Sequence, residues 1–316
     1  MTDGPSTEWR ERIAPDEEAR FARQAEKLAP LHAALSARYG AGRLLHRKTV
    51  LAARGTLEVL DGLPDYARHG VLAAPRVYEA VARFSNGSAS VQANDKSDIR
   101  GVAIKALGVA GPAALGGEAQ SQDFLLINQT NFGASSDEFV DVVANSRRGQ
   151  VAILLGVIRR DGVIGGLKRI RRLAAKISRP FAGFATETFD SVAPLAVGPY
   201  AARVRLRPTV PTPAGGKDFA DDLRDRLAAG PLVYELALQF FVDEQTTPIE
   251  DPTVDWPLDR APPLAVARLT LSAVEPDVEA LRFDPWGGLA EHRPLGEIMR
   301  ARKVAYFHSQ KARGAL

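Results

Sequence analysis

The run Val81-Ala-Arg-Phe-Ser85, followed by the turn pair Asn86-Gly87, belongs to the stretch of sequence that decides the fold class. It is strand-like, and turn residues separate it from similar runs on both sides. These neighbouring runs are Thr56-Leu-Glu-Val-Leu60, Gly101-Val-Ala-Ile-Lys105 after a second turn at Asn94-Asp95, and Phe124 to Ile127. The sequence therefore predicts a group of strands between residues 45 and 127.

Helical patterns surround and interrupt the strands. Residues 16–38 carry apolar residues at helical spacing, and Gly40 and Gly42 end the segment, so we predict a leading amphipathic helix that braces the protein from outside. Residues 137–177 also have a helical period. Strand character returns afterwards, at Arg203–Arg207, Val233–Val242 and Ala265–Leu271.

Strands on both sides of a helical block favour an α+β fold, an antiparallel sheet or barrel with helical insertions, over a doubly wound parallel sheet. No internal repeat or long low-complexity linker divides the sequence. We therefore predict an N-terminal helical brace over residues 1–42 and a single domain over residues 43–316.

Composition restricts the classes of function. The chain has 316 residues, of which 45% are hydrophobic and 25% charged, as in ordinary globular proteins. Its 41 basic residues are interleaved with 38 acidic ones, which argues against nucleic-acid binding. The absence of cysteine excludes disulfides, thiolate metal sites and cysteine nucleophiles. Together with a start that does not resemble a signal peptide, it favours a cytoplasmic protein without membrane-spanning segments.

The C-terminal stretch Arg302-Lys-Val-Ala-Tyr306-Phe-His-Ser-Gln-Lys-Ala-Arg313 carries the most informative side chains. At about 100° per residue, Arg302, Tyr306 and Arg313 share one helical stripe. Two guanidinium groups beside a phenol favour the phenolate form, which is a hard anionic ligand for ferric iron. The alternative is a core aromatic residue in a solvated basic helix.

Two further segments carry candidate polar groups. Arg43-Leu-Leu-His46 places an imidazole among cations, which keep it neutral and able to act as a base. Gln122-Asp-Phe-Leu-Leu-Ile-Asn128 is an apolar strand that ends in a carboxamide. The alternatives are a structural hydrogen-bonding histidine and a turn-forming asparagine. No phosphate-binding loop or serine-hydrolase motif is present, and the histidine spacing does not favour a His-based metal centre.

Taken in order, these segments resemble the haem-dependent catalase family, and in particular its small catalase-related proteins. The blocks that carry the resemblance are Arg43-Leu-Leu-His46, Ala82-Arg-Phe-Ser85, Asp98-Ile-Arg-Gly-Val-Ala-Ile-Lys105, Gln122 to Asn128, Asp251-Pro-Thr-Val-Asp-Trp-Pro257 and Arg302-Lys-Val-Ala-Tyr306. The resemblance implies a catalase-like antiparallel β-barrel core with helical insertions and a C-terminal helix that ligates haem b.

The resemblance also implies a role for each matching residue. Tyr306 would ligate the haem iron as a phenolate, with Arg302 hydrogen-bonded to it. On the opposite face of the haem, His46 and Asn128 would act on peroxide, and Ser85 would orient the imidazole. The remaining cofactor-binding residues are three arginines that would pair with the haem propionates and a phenylalanine near the haem edge: Arg43, Arg83, Arg313 and Phe139.

The implied function is that of a haem-dependent oxidoreductase with catalase or peroxidase activity on hydrogen peroxide or organic hydroperoxides. The alternatives are a fatty-acid hydroperoxide isomerase and a non-enzymatic haem or lipid carrier on the same scaffold. After Asn128 the chain reads Gln-Thr-Asn-Phe-Gly, which is smaller and more polar than in large catalases and predicts wider access to the haem. We also expect a homodimer, and residues 151–177 leave open a weak contact with a membrane surface.

Overall fold

The computed structural model describes residues 4–129, 133–146, 179–216, 218–312 and 314, with the additional positions 158, 162, 164–167 and 171. Four α-helices have defined bounds in this part of the chain: α1 over Glu17–Tyr39, α2 over Ser136–Ser146, α3 over Phe219–Ala229 and α4 over Glu297–Ala312. The first confirms the leading helix predicted for residues 16–38. The helical prediction for residues 137–177 is met by α2 at its start, and most of its remainder lies outside the described residues.

Nine strands form one antiparallel sheet in the described part of the chain. Their bounds are Thr49–Val59 (β1), Val77–Asn86 (β2), Arg100–Leu107 (β3), Ser121–Ile127 (β4), Phe189–Ser191 (β5), Leu195–Val197 (β6), Tyr200–Pro208 (β7), Leu232–Phe240 (β8) and Leu264–Val274 (β9). Each strand-like run of the sequence falls within or across one of them. Strand β5 pairs with both β4 and β7, so eight strands close a ring, and β6 pairs with a further part of β7.

The predicted α+β fold with an antiparallel barrel is therefore confirmed. Closure satisfies the backbone hydrogen bonds at what would otherwise be free sheet edges. The barrel interior is filled by side chains from every strand of the ring, among them Leu57, Phe84, Ile104, Leu126, Phe189, Val204, Leu236 and Leu269. Burying a side chain of this size contributes about 1.5–3 kcal/mol.

The period of two along strand β2 decides which side chains point away from the barrel interior. Ala82 and Phe84 belong to the interior core, whereas Arg83 and Ser85 point to the outer face. Strand β3 continues the division, since Val102 and Ile104 belong to the same core. The polar residues of the resemblance are thus presented outside the barrel, where helices cover it.

Helices α1, α2 and α4 form this cover. Leu28 and Leu31 of α1 pack against Val140 and Val143 of α2. Helix α1 ends at Gly40, which has a φ of 82° and donates its N–H to the Ser36 carbonyl, as the glycine signal in the sequence predicts. No helix within the described residues has both the length and the apolar character needed to cross a bilayer.

Helix α4 is anchored to the barrel through the segment that precedes it. The indole N–H of Trp286 donates to the Met299 carbonyl at 2.8 Å, and the Gln310 carboxamide donates to the Asp284 carboxylate at 2.7 Å. Asp284 in turn donates its backbone N–H to Asp123 on β4 at 2.9 Å. Both ends of α4 are therefore held against the strands that face it.

Candidate functional site

A cavity of about 590 Å³ lies between the outer face of strands β2–β4 and helices α1, α2 and α4. This volume falls in the range of small-molecule and cofactor sites, ~300–1,000 Å³. Its walls are largely apolar, with Leu31 from α1, Val143 from α2, Leu125 from β4 and Ile298 from α4. A few polar groups converge within these walls, which is the usual composition of a site that binds an apolar ligand with polar ends.

The cavity brings together most of the residues that the sequence predicts for the site. These are Arg43, His46, Arg83, Ser85, Phe139, Arg302 and Tyr306. They come from the loop before β1, from β2, from α2 and from α4. Arg313, the eighth, lies outside the described residues, and the ninth, Asn128, is placed elsewhere.

His46 occupies a strained position in the loop between α1 and β1. Its φ is +49°, in the left-handed region that non-glycine residues rarely adopt. Its N–H donates to the Gly87 carbonyl at 3.0 Å, and its own carbonyl accepts a hydrogen bond from Arg83 Nη2 at 2.7 Å. The backbone around the imidazole is therefore determined by partners on both sides.

The imidazole ring is oriented by Ser85 and by Gly101. The Nδ1 atom lies 3.0 Å from Ser85 Oγ, and the Ser85 hydroxyl donates to the Gly101 carbonyl at 3.4 Å. A Cβ at position 101 would approach His46 Cε1 to 2.5 Å, so glycine is needed there for the ring to pack against β3. Because the Ser85 hydroxyl donates elsewhere, this network assigns the proton to Nδ1 and leaves the Nε2 lone pair available.

His46 is neutral over the ordinary pH range. Burial, and then the positive charges of Arg83, Arg302 and Arg43, lower its pKa to about 3. The surface that the residue retains faces the cavity, which it lines. A neutral imidazole with a free Nε2 in a largely apolar cavity can accept a proton from a bound molecule and return it.

Tyr306 and Arg302 lie one helical turn apart on α4, as the stripe in the sequence predicts. Arg302 Nη2 donates to the phenol oxygen of Tyr306 at 2.9 Å, and the guanidinium carbon lies 5.3 Å from the centre of the phenol ring. Tyr306 thus presents a phenol oxygen, hydrogen-bonded to a guanidinium, on the helical wall of the cavity.

Arg43 and Arg83 share a carboxylate that the sequence analysis missed. Arg43 Nη1 donates to Glu279 Oε2, and Arg83 Nε lies 3.7 Å from Glu279 Oε1. The Thr49 hydroxyl also donates to this carboxylate. Burial raises the pKa of Glu279, but the Thr49 hydrogen bond and the two arginine charges outweigh it and lower the pKa overall. Glu279 lies in an acidic surface segment, so no local pattern distinguishes it.

Asn128 is not among the residues that line the cavity, and its role beside His46 stays a prediction. Its Oδ1 accepts the backbone N–H of Arg100 at 2.8 Å, and its own N–H donates to the Arg100 carbonyl at 3.0 Å. The carboxamide thus extends the pairing of β3 with β4 beyond Ile127, where β4 ends. Of the residues on which the prediction of wider access rests, Thr130 and Asn131 lie outside the described residues, whereas Gly133 is described, and the prediction stays untested.

Helix α1 forms part of the cavity wall in addition to bracing the outside. Leu28, Leu31 and Leu35 line the cavity, as do Arg38 and Tyr39 at the end of the helix. The helical spacing of its apolar residues indicated a buried face but not the surface that this face covers. Among the described residues, no group of three or more His, Asp or Glu side chains is arranged to hold a metal ion.

Comparison with solved structures identifies the fold. The chain superposes on catalase A from Saccharomyces cerevisiae with a TM-score of 0.70 and 15% identity, over 89% of this chain and 63% of the catalase. It superposes on a fungal catalase with a TM-score of 0.71 and 16% identity, over 90% and 62% of the two chains. A bacterial catalase gives a TM-score of 0.68 and 16% identity, over 99% and 63%.

The chain thus corresponds to less than two thirds of the length of these catalases. No protein-family model and no curated protein sequence matches it. At this level of identity the likeness concerns the fold alone. The closed antiparallel barrel with its helical cover is the catalase fold.

Proposed function

We propose that the protein binds one haem b in the cavity and uses it to process peroxides. The observation that carries the proposal is the placement of a neutral, oriented imidazole and an arginine-bonded phenol in the walls of one apolar cavity. The likeness to catalases supports it at the level of the fold. A carrier would need the phenol and the apolar walls, but it would not need an imidazole held with a free Nε2.

The residues present fit such a cofactor. The phenol oxygen of Tyr306, stabilised by Arg302, is suited to hold ferric iron, and axial tyrosine is one of the established haem ligands. Arg43 and Arg83 line the same cavity and provide forked cations for carboxylate groups. Phe139 and the leucines of α1 provide apolar surface for a flat macrocycle. When bound, the haem would supply a redox-active iron at which the O–O bond of a peroxide can be cleaved.

The chain's own contribution is acid–base chemistry and exclusion of water. His46 accepts a proton from the bound peroxide at Nε2 and can deliver it to the other oxygen, while Ser85 keeps the ring in the required orientation. Burial, with the charges of Arg83, Arg302 and Arg43, lowers the pKa of this imidazole and keeps it unprotonated before it acts. The apolar walls limit competing access of water to the reacting atoms.

Hydrogen peroxide and organic hydroperoxides are both compatible with these roles. The apolar surface that α1 and α2 add to the cavity favours organic hydroperoxides, because their alkyl or acyl chain would be buried there. Rearrangement of a fatty-acid hydroperoxide, in place of its reduction, is the corresponding isomerase alternative. Leu44 and Leu45, which precede His46, offer no hydroxyl group to direct such a reaction.

The proposal is tested by replacing the phenol that would hold the iron. Tyr306→Phe should remove the axial oxygen, lowering haem content and changing the ferric absorption spectrum of the protein loaded with haemin. Tyr39→Phe is the matched control, because it removes a second phenol that also lines the cavity. Unchanged haem content and an unchanged ferric spectrum in Tyr306→Phe would show that Tyr306 is not the ligand.

A further inference from the structure

Two of the arginines that line the cavity are held in the structure by a carboxylate that is not part of its lining. Arg43 and Arg83 line the cavity, and their side chains are 12% and 3% exposed. Glu279 bonds to Arg43 and lies near Arg83, yet its side chain is 61% exposed. The pairing therefore joins two buried cations to one solvent-accessible anion.

This difference in exposure decides which partner can leave. A buried guanidinium without an anion nearby is strongly unfavourable, so the arginines need a negative partner at all times. The Thr49 hydroxyl and the His46 carbonyl accept hydrogen bonds from Arg83, but neither balances its charge. Glu279, by contrast, can turn into water at a lower cost than either arginine, because more than half of its side chain is already exposed.

The backbone around Glu279 permits such an exchange. The residue lies in a short 3-10 helix, Val278–Ala280, whose first side chain is 4% exposed and packs against Ala52, Val81 and Phe283. The turn is thus anchored by Val278 while the Glu279 side chain projects from it. Rotation of the Glu279 side chain would withdraw its carboxylate from both arginines without moving the strand or the helix.

We propose that Glu279 is a displaceable carboxylate, which holds Arg43 and Arg83 in place until the carboxylate groups of the cofactor replace it. The inference rests on the proposed haem function and deepens it, because it makes Glu279 a determinant of cofactor affinity. Removing the Glu279 charge should then strengthen the binding of a ligand that carries carboxylates. A ligand without them should bind as before.

The test uses protoporphyrin IX, which has two carboxylates and no iron, and its dimethyl ester, which lacks the charges. Binding of each to wild type, Glu279→Gln and Asp277→Asn is measured by fluorescence titration, with circular dichroism to verify folding. Asp277→Asn is the matched control, since it removes one charge from the same turn and Asp277 makes no side-chain capping bond there. Glu279→Gln should bind the diacid about threefold to tenfold tighter, the range for releasing two partly exposed ion pairs, and the ester unchanged.

The other outcomes overturn the inference. Unchanged or weaker diacid binding by Glu279→Gln would show that Glu279 does not compete with the ligand. Equal tightening of diacid and ester, or the same effect in Asp277→Asn, would indicate a general effect of charge. Because protoporphyrin contains no iron, the result does not depend on Tyr306, so an error in the iron ligand is distinguished from an error here. Failure of every variant to bind either porphyrin would reject the cofactor cavity and this inference together.

Discussion

At position 46 a histidine is held at φ +49°, the only non-glycine residue in the described part of the chain with a positive φ. Such a conformation costs about 1–3 kcal/mol and persists only where the surroundings impose it. Here the surroundings are the Gly87 carbonyl, the Arg83 guanidinium, the Ser85 hydroxyl and the bare backbone of Gly101. The strain places the Nε2 atom of a neutral imidazole at the cavity.

Replacement of that imidazole should separate an enzyme from a carrier. His46→Ala should leave haem binding largely intact but slow the reaction with peroxide at least about 100-fold, the lower range for loss of a positioned acid–base group. Stopped-flow absorbance of the haem-loaded protein measures this rate. In the wild type the rate should not change between pH 8 and pH 5, because the pKa of His46 is about 3. Equal rates in His46→Ala and wild type would instead support a carrier.

Among the elements, α1 and α4 depend on one ionic cluster around Arg300. The Arg300 guanidinium, on α4, donates to both oxygens of Glu17, on α1, at 2.8 Å, and to Glu11 at 2.8 Å. It also lies 3.3 Å from Glu250 in the loop between β8 and β9. Its side chain is 13% exposed. This arginine therefore joins the two helices that form opposite parts of the cavity wall.

Loss of this arginine should loosen the helical cover. Arg300→Met approximately keeps the length of the side chain but removes the arginine bonded to the buried Glu17 and leaves Glu11 with Arg293 alone, which should lower the free energy of unfolding by about 3–5 kcal/mol. Urea denaturation measures the change. Arg12→Met is the matched control, because the Arg12–Glu244 pair is exposed and should contribute at most about 1 kcal/mol. Similar losses in the two variants would contradict the assigned role of Arg300.

For the molecule as a whole, a second buried histidine makes stability depend on pH. His292, 2% exposed, accepts the Val71 N–H at Nε2 and donates from Nδ1 to the Ala196 carbonyl. Protonation of Nε2 would replace this hydrogen bond by repulsion between the new N–H group of His292 and the backbone N–H of Val71. Burial is the main cause that lowers the pKa of His292 to about 4.

The unfolded chain therefore takes up this proton at a higher pH than the folded protein does. Stability from His292 is fully present above its ordinary pKa of 6.5 and is lost as the pH falls through about 4. At about 1.4 kcal/mol per pH unit, the loss reaches about 3 kcal/mol. Burial raises the pKa of Asp123 to about 7, and that carboxyl acts in the opposite direction, so the comparison must be made against a variant.

His292→Gln is that variant, because a carboxamide can accept and donate the same two hydrogen bonds without gaining a charge. The free energy of unfolding is measured by urea denaturation at pH 7 and at pH 4. Its decrease between the two pH values should be about 3 kcal/mol smaller in His292→Gln than in wild type. The variant should be somewhat less stable at pH 7 because its packing is imperfect. A parallel pH dependence in the two proteins would mean that His292 does not titrate as described.

The sequence by itself determined the order of strands and helices and the presence of Arg83 and Ser85 on the same face of one strand. It also determined the alignment of Arg302 with Tyr306. These features follow from the periods of a strand and a helix, which relate residues that are close together along the chain. The antiparallel barrel could be predicted from the strand-like runs on both sides of a helical block and from the resemblance.

Only the tertiary structure decided which distant groups complete the site. Glu279 is 236 residues from Arg43, and no local period relates the two. The carboxamide of Asn128 was open to two uses, and the end of strand β4 determined that its oxygen accepts the backbone N–H of Arg100. The sequence likewise indicated that helix α1 has an apolar face. Only the structure showed that this face packs against α2 and lines the cavity. Such contacts depend on how the closed barrel and its helices pack, which the sequence specifies only through the whole fold.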